Sequence, residues 1–151
     1  MKLIALLLIS MFQTSFQTEH DVVIAIFSLS QDDQSVKLEI GFDIEDYLFT
    51  NKILKEQVTI AQVSQYLNDK TSWIINDTNS TIAVVSLYVD EEHFRAECAL
   101  NISNIKIEKV KIFNEFFMNV DGHSNIIRLD INGKRKDYRM YEGRKMIEVL
   151  F

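Results

Sequence analysis

Apolar and polar residues alternate with a period of two along most of the chain, the spacing of strands with one buried face. Val36, Leu38, Ile40 and Phe42 share one parity, and Lys37, Glu39 and Asp43 share the other. The run before them, Val22 to Ser30, is apolar on both parities and predicts a strand covered on both faces. The polar stretch Gln31 to Gln34 between the two runs makes them a hairpin. Thr81 to Val89 is also apolar on both parities and predicts a strand central in its sheet. His93 to Asn101 returns to alternation. Further strands are expected over Ser72 to Asn76, which carries Trp73, and over Lys109 to Asn119, with Val110, Ile112, Phe116 and Met118 on one side. Asn125 to Ile131 and Lys136 to Met140 flank Asn132-Gly133, a pair suited to the two positive-φ positions of a tight hairpin. Met146 to Phe151 supplies the last strand.

The period changes once. Ile60, Val63 and Leu67 fall at i, i+3 and i+7 beside Tyr66, which makes one helical face of about three turns. Thr59 can cap its start and Asn68-Asp69 can end it. The expected fold is therefore mostly β: an antiparallel β-sandwich with immunoglobulin-like layering, about seven to nine strands and one short helix. A small outer-membrane β-barrel is the competing architecture, since Ile147, Val149 and Phe151 alternate as such a barrel requires. The helical segment counts against it.

The first residues break the pattern. Met1-Lys2 is followed by apolar residues from Leu3 to Phe12, relieved only by Ser10, and then by the small and polar Gln13 to Thr18. This is the layout of a secretory signal peptide, and it is roughly half the length that spans a membrane. The expected organisation is a signal over residues 1–18 and a single domain over 19–151, exported to the periplasm or cell envelope, with no transmembrane helix in the mature chain. The net charge of −6 becomes more negative when Lys2 leaves with the signal, which disfavours nucleic acid and anionic membrane surfaces. One cysteine, Cys98, rules out an internal disulfide, so the core alone must hold the domain. Asn76, Asn79 and Asn101 head N-x-S/T sequons that a chain this rich in Asn, Ser and Thr also generates by chance.

Candidate chemistry is sparse. His93 and Cys98 have opposite parity on one strand, so Cys98 belongs to the core with Phe94 and Ala96 while His93 belongs to the other face, and the two cannot share a metal or form a dyad. His20 near the new N-terminus and His123 in a turn are the candidate metal ligands. No nucleophile elbow or phosphate loop occurs, and the acids at Asp43/Glu45/Asp46 and Glu91/Glu92 read as solvated turns. The chain is not expected to be an enzyme, and no cofactor is implied.

The order of a histidine after the signal, a hairpin ending in FDIEDYLF, a helix closing at YLND, and the run VKIFNEFFMNVDGHSNIIRLDINGKRKDYRMYEGRKMIEVLF resembles a family of uncharacterised exported Bacteroidetes β-domains. More distantly it is similar to the extracytoplasmic N-terminal domain of HupE/UreJ-type membrane proteins. The turn of Asp121, His123 and Asn125 before Ile126-Ile127-Arg128 carries most of this likeness. It implies an envelope β-domain without established activity, with a HupE/UreJ-type membrane protein as the kind of partner. The expected function is a non-catalytic binding or accessory domain, and metal handling with copper, nickel or zinc is the alternative. The candidate binding residues are Asp121, His123 and Asn125 in the turn, with Arg135 and Lys136 on a basic hairpin that can dock an acidic loop.

Overall fold

Strands β1 (Ile24–Gln31) and β2 (Val36–Asp43) form the first hairpin, with Leu29 opposite Leu38 and Phe27 opposite Ile40. The structure is a computed structural model that describes residues 24–32, 35–102 and 106–151. The expected signal segment and His20 lie outside the described residues. Leu38, Ile40 and Phe42 are buried, as their parity predicts, and Glu39 on the alternate parity is exposed.

Asp43 then turns the chain into α1 (Ile44–Asn51). Its carboxylate accepts from the Asp46 amide at 2.9 Å, and Glu45 and Asp46 occupy the first turn, where the helix dipole favours negative charge. The acids read as a solvated turn are thus the start of a second helix. Its sequence signal is Asp43 ahead of Ile44, Tyr47 and Leu48 at helical spacing. A single 3₁₀ turn over Lys55–Gln57 leads to α2 (Ile60–Lys70). Thr59 and Gln62 form a reciprocal capping box, amide to side chain at 3.2 Å and 2.9 Å. Val63 and Leu67 are fully buried.

The remaining strands are β3 (Thr71–Ile75), β4 (Thr78–Ser80), β5 (Ile82–Asp90), β6 (His93–Leu100), β7 (Lys109–Asn114), β8 (Ser124–Ile131), β9 (Lys134–Met140) and β10 (Met146–Leu150). They make a six-stranded sheet of order β5-β6-β2-β1-β8-β9 and a four-stranded sheet of order β10-β7-β3-β4. The class is mostly β and sandwich-like. Three features differ from the sequence reading. Among the described residues there are ten strands rather than seven to nine, because the short β4 was read as a turn. Two α-helices are present among the described residues where one was expected. The large sheet is mixed, because β1 and β8 run parallel with Phe27 beside Ile127. Both strand orders are linear, whereas the outer-membrane barrel requires closure, so that architecture gives way to two open sheets.

The Phe27 ring lies 6.4 Å from Trp73 of the small sheet and edge-on to Phe116 at 5.4 Å. The strand expected to reach Asn119 stops at Asn114, whose Oδ1 accepts from the Phe116 amide at 2.9 Å. Phe117 adopts a φ of 55°, and this bend drives both phenylalanines into the core, where Phe116 meets Phe42 and Phe117 meets Tyr47. Burying each such ring contributes about 1.5–3 kcal/mol. That gain offsets a left-handed backbone at a bulky residue, which costs about 1–2 kcal/mol.

β5 is an edge strand, not a central one. α2 covers part of its open edge: Asn68 bonds the Ile82 amide at 2.9 Å and carbonyl at 2.7 Å, and the Ser64 hydroxyl accepts from the Val84 amide at 2.9 Å. Ile82 and Val84 are buried, whereas Val85 and Val89 are exposed, so the second apolar parity lies without cover among the described residues.

Candidate functional site

The turn into β8 gathers polar residues in the interior. Gly122 takes a φ of 73°, which a side chain would strain. The turn closes through the His123 amide on the Val120 carbonyl at 3.2 Å. The Asp121 carboxylate, a candidate binding group, makes no hydrogen bond among the described residues. Asn125, fully buried on the core side of β8, donates through Nδ2 to the Phe116 carbonyl at 2.9 Å and to Asn114 Oδ1 at 2.8 Å. The Phe116 carbonyl can only accept, so the orientation of the Asn125 amide is fixed and its Oδ1 faces His123 Nε2 at 2.9 Å. That contact requires the proton on Nε2.

His123 is 6% exposed, and its ring stands edge-on to Phe117 at 5.3 Å. Burial pushes its pKa below the usual value, and the bond to Asn125 opposes that shift. Nδ1 is buried with no protein partner among the described residues. The ring therefore joins the turn to β7 and β8, and its one bonded nitrogen is used internally. Asp121, Gly122, His123 and Glu142 line an open cleft of about 360 Å³. Among the described residues, no three His, Cys, Asp or Glu side chains come together as a metal site. The other candidate ligand, His20, lies outside the described residues.

Arg135 and Lys136 sit at the far end of the β8–β9 hairpin from the turn. Asn125 pairs with Met140, whereas Asp130 pairs with Arg135, a separation of roughly 16 Å along the strand at ~3.3 Å per residue. The structure does not bring them to His123. Arg135 pairs with Asp137 on its own strand at 3.2 Å. Lys136 reaches from the edge of the large sheet to the edge of the small one, where Nζ donates to the Leu150 carbonyl at 2.7 Å and lies 5.1 Å from the Phe151 ring. Its ammonium is engaged in holding the sandwich shut on that side.

Cys98 is buried with Phe94 and Ala96, and burial pushes its thiol pKa up to about 12, which leaves it a small apolar filler rather than a nucleophile. The Asn76 amide bonds Lys106, Glu108 and Lys109 of the backbone at 2.8–3.0 Å, while Asn79 and Asn101 are exposed.

One surface escaped the sequence reading. The outer face of the large sheet, turned away from the small sheet, holds a groove of about 270 Å³ lined by Ser28, Glu39, Gly41, Arg95, Glu97 and Arg128 among others. Arg95 lies flat across Gly41, its Nη1 only 2.5 Å from where a Cβ would stand. Glu39 and Glu97 face each other directly across β2 and β6, a like-charge pairing that costs stability. A glycine inside an otherwise alternating strand is the signal that marks this place. A scan against protein-family models finds no match. No curated protein matches the chain.

Proposed function

We propose that this chain is an exported, non-catalytic binding domain that engages a protein of the cell envelope, with a HupE/UreJ-type membrane protein as the class its sequence likeness suggests. One observation supports this most: Cys98 and His123 are built into the core, while the outer face of the large sheet and its β9 edge remain uncovered among the described residues. Arg128 and Glu39 in the groove carry no ion pair among the described residues. Unpaired charges of both signs on an open sheet suit recognition of a protein surface, where they steer association and select partners.

The reading is tested with a photo-crosslinking residue at Ser28 in the groove and at Asp69 at the end of α2, in cells making the full chain. The Ser28 position should yield a discrete crosslinked partner in the envelope fraction, from a chain shortened at its N-terminus near residue 18. An unprocessed chain, or equal crosslinking from both positions, overturns the reading.

A further inference from the structure

The two edges of the large sheet are treated differently. At β5, side chains of α2 satisfy the outward N–H and C=O of Ile82 and the N–H of Val84. At β9 nothing among the described residues does the same. The Asn132-Gly133 turn, with φ of 51° and 74°, closes on the Ile131–Lys134 pair, so the backbones of Lys134, Lys136 and Tyr138 point toward β8. The N–H and C=O groups of Arg135, Asp137 and Arg139 therefore point away from the sheet, and all three residues are exposed. One step further on, the same edge is closed, because Tyr141 and Arg144 bond each other's backbone at 2.8 Å and 3.2 Å.

The charge of this edge opposes that of the chain. In a protein of net charge −6, β9 carries Lys134, Arg135, Lys136 and Arg139 against Asp137 alone, with Arg128 beside Asp137 on β8. Two copies of so basic a strand would repel each other, while an acidic segment would be attracted.

We propose that β9 accepts an extended acidic segment of a partner protein as an additional antiparallel strand, docked on the backbone of Arg135, Asp137 and Arg139. This rests on the binding-domain reading and names the kind of partner. Strand addition draws affinity from main-chain hydrogen bonds and selectivity from alternate side chains. On the outer face the incoming strand meets Arg139, Asp137 and Arg135 in turn, so it should carry acids four residues apart with an uncharged residue between them.

The probe is the capped peptide Thr-Glu-Val-Thr-Val-Glu-Thr, titrated into the purified domain and followed by backbone amide NMR. The largest shifts and new exchange protection should fall on Arg135, Asp137 and Arg139, and binding should weaken with salt. Replacing both glutamates of the peptide by lysine should weaken binding by at least about tenfold. Asp137→Ala removes an acid from the edge and should tighten binding. Asp137→Pro removes the same acid together with one outward N–H, and should weaken binding by at least about tenfold although the charge change is identical. If the proline variant does not fold, N-methylation of the peptide decides. A methyl on the fourth residue, whose amide faces β9, should abolish binding, and one on the third, whose amide faces away, should not. Equal binding by both methylated peptides, or shifts mapping elsewhere, overturns the proposal. So does a concentration-dependent dimer with shifts on these residues and no response to the peptide, which would make a second copy the occupant. Failure here with a groove-specific crosslink at Ser28 leaves the broader binding reading standing.

Discussion

Asn68 reads the backbone of Ile82 with both ends of its amide, Oδ1 accepting from the N–H at 2.9 Å and Nδ2 donating to the C=O at 2.7 Å. A helix side chain thus substitutes for the strand that β5 lacks. Asn68→Ala leaves a partly buried donor and acceptor without partners, which costs about 1–3 kcal/mol. Urea unfolding should show that loss, and amide exchange should quicken at Ile82 before it does at Phe27. Ser64→Ala, which frees only the Val84 amide, should cost less.

His123 gives the protein a pH dependence of definite sign. Its folded pKa is lowered, so the unfolded chain takes up a proton more readily. The contribution to stability is complete above the unfolded value of about 6.5 and is lost as pH falls through the depressed folded value. Asp46 acts in the opposite sense. Desolvation, then Asp43 and Glu45, raise its pKa, so its folded form is favoured as pH drops into the carboxylate range. Urea midpoints measured between pH 7.5 and 5 should therefore fall for the native chain, and fall less for His123→Gln. Equal slopes in the two proteins would mean that His123 titrates alike in both states.

How much of this was legible in the sequence depends on how local the cause is. The parity of Val36 to Phe42 and of Phe94 to Cys98 located their buried faces, because strand alternation follows from backbone geometry alone. The Thr59 cap and the Asn132-Gly133 turn were legible for the same reason. The role of Thr81 to Val89 was not. Apolar residues on both parities do not fix a strand's place in its sheet: Val85 and Val89 are exposed on an edge strand whose open side α2 only partly satisfies. The parallel β1–β8 pair joins residues about a hundred positions apart, and no local pattern encodes that. In the turn, the chemical types of His123 and Asn125 were visible. Their use depended on Asn114 and the Phe116 carbonyl, which a bend at Phe117 brings to them.

Cys98 should be unreactive while the domain is folded. Its side chain lies in the core of an interior strand, and its thiol pKa of about 12 leaves almost no thiolate at pH 8. Labelling by an alkylating reagent should be slow in buffer and rise with urea in step with global unfolding. Fast labelling without denaturant would mean that β6 opens locally.

Lys136 and Arg135 are neighbours with different predicted effects on stability. Arg135 is exposed and bonds only Asp137 on its own strand, a pair of the kind that contributes about 0–1 kcal/mol. Lys136 ties the edge of the large sheet to the Leu150 carbonyl and packs over Phe151. Lys136→Met keeps the apolar stem but removes the charged donor from a solvent-exposed bond, and should cost about 0.5–1.5 kcal/mol. Arg135→Gln should be nearly neutral. Lys136→Glu should destabilise at least as much as the methionine variant, because it brings a carboxylate toward a carbonyl oxygen. Thermal unfolding of the three variants separates these outcomes, and amide exchange at Leu150 reports the site. If Lys136→Met leaves both unchanged, the sheets are held together on this side by their apolar faces alone.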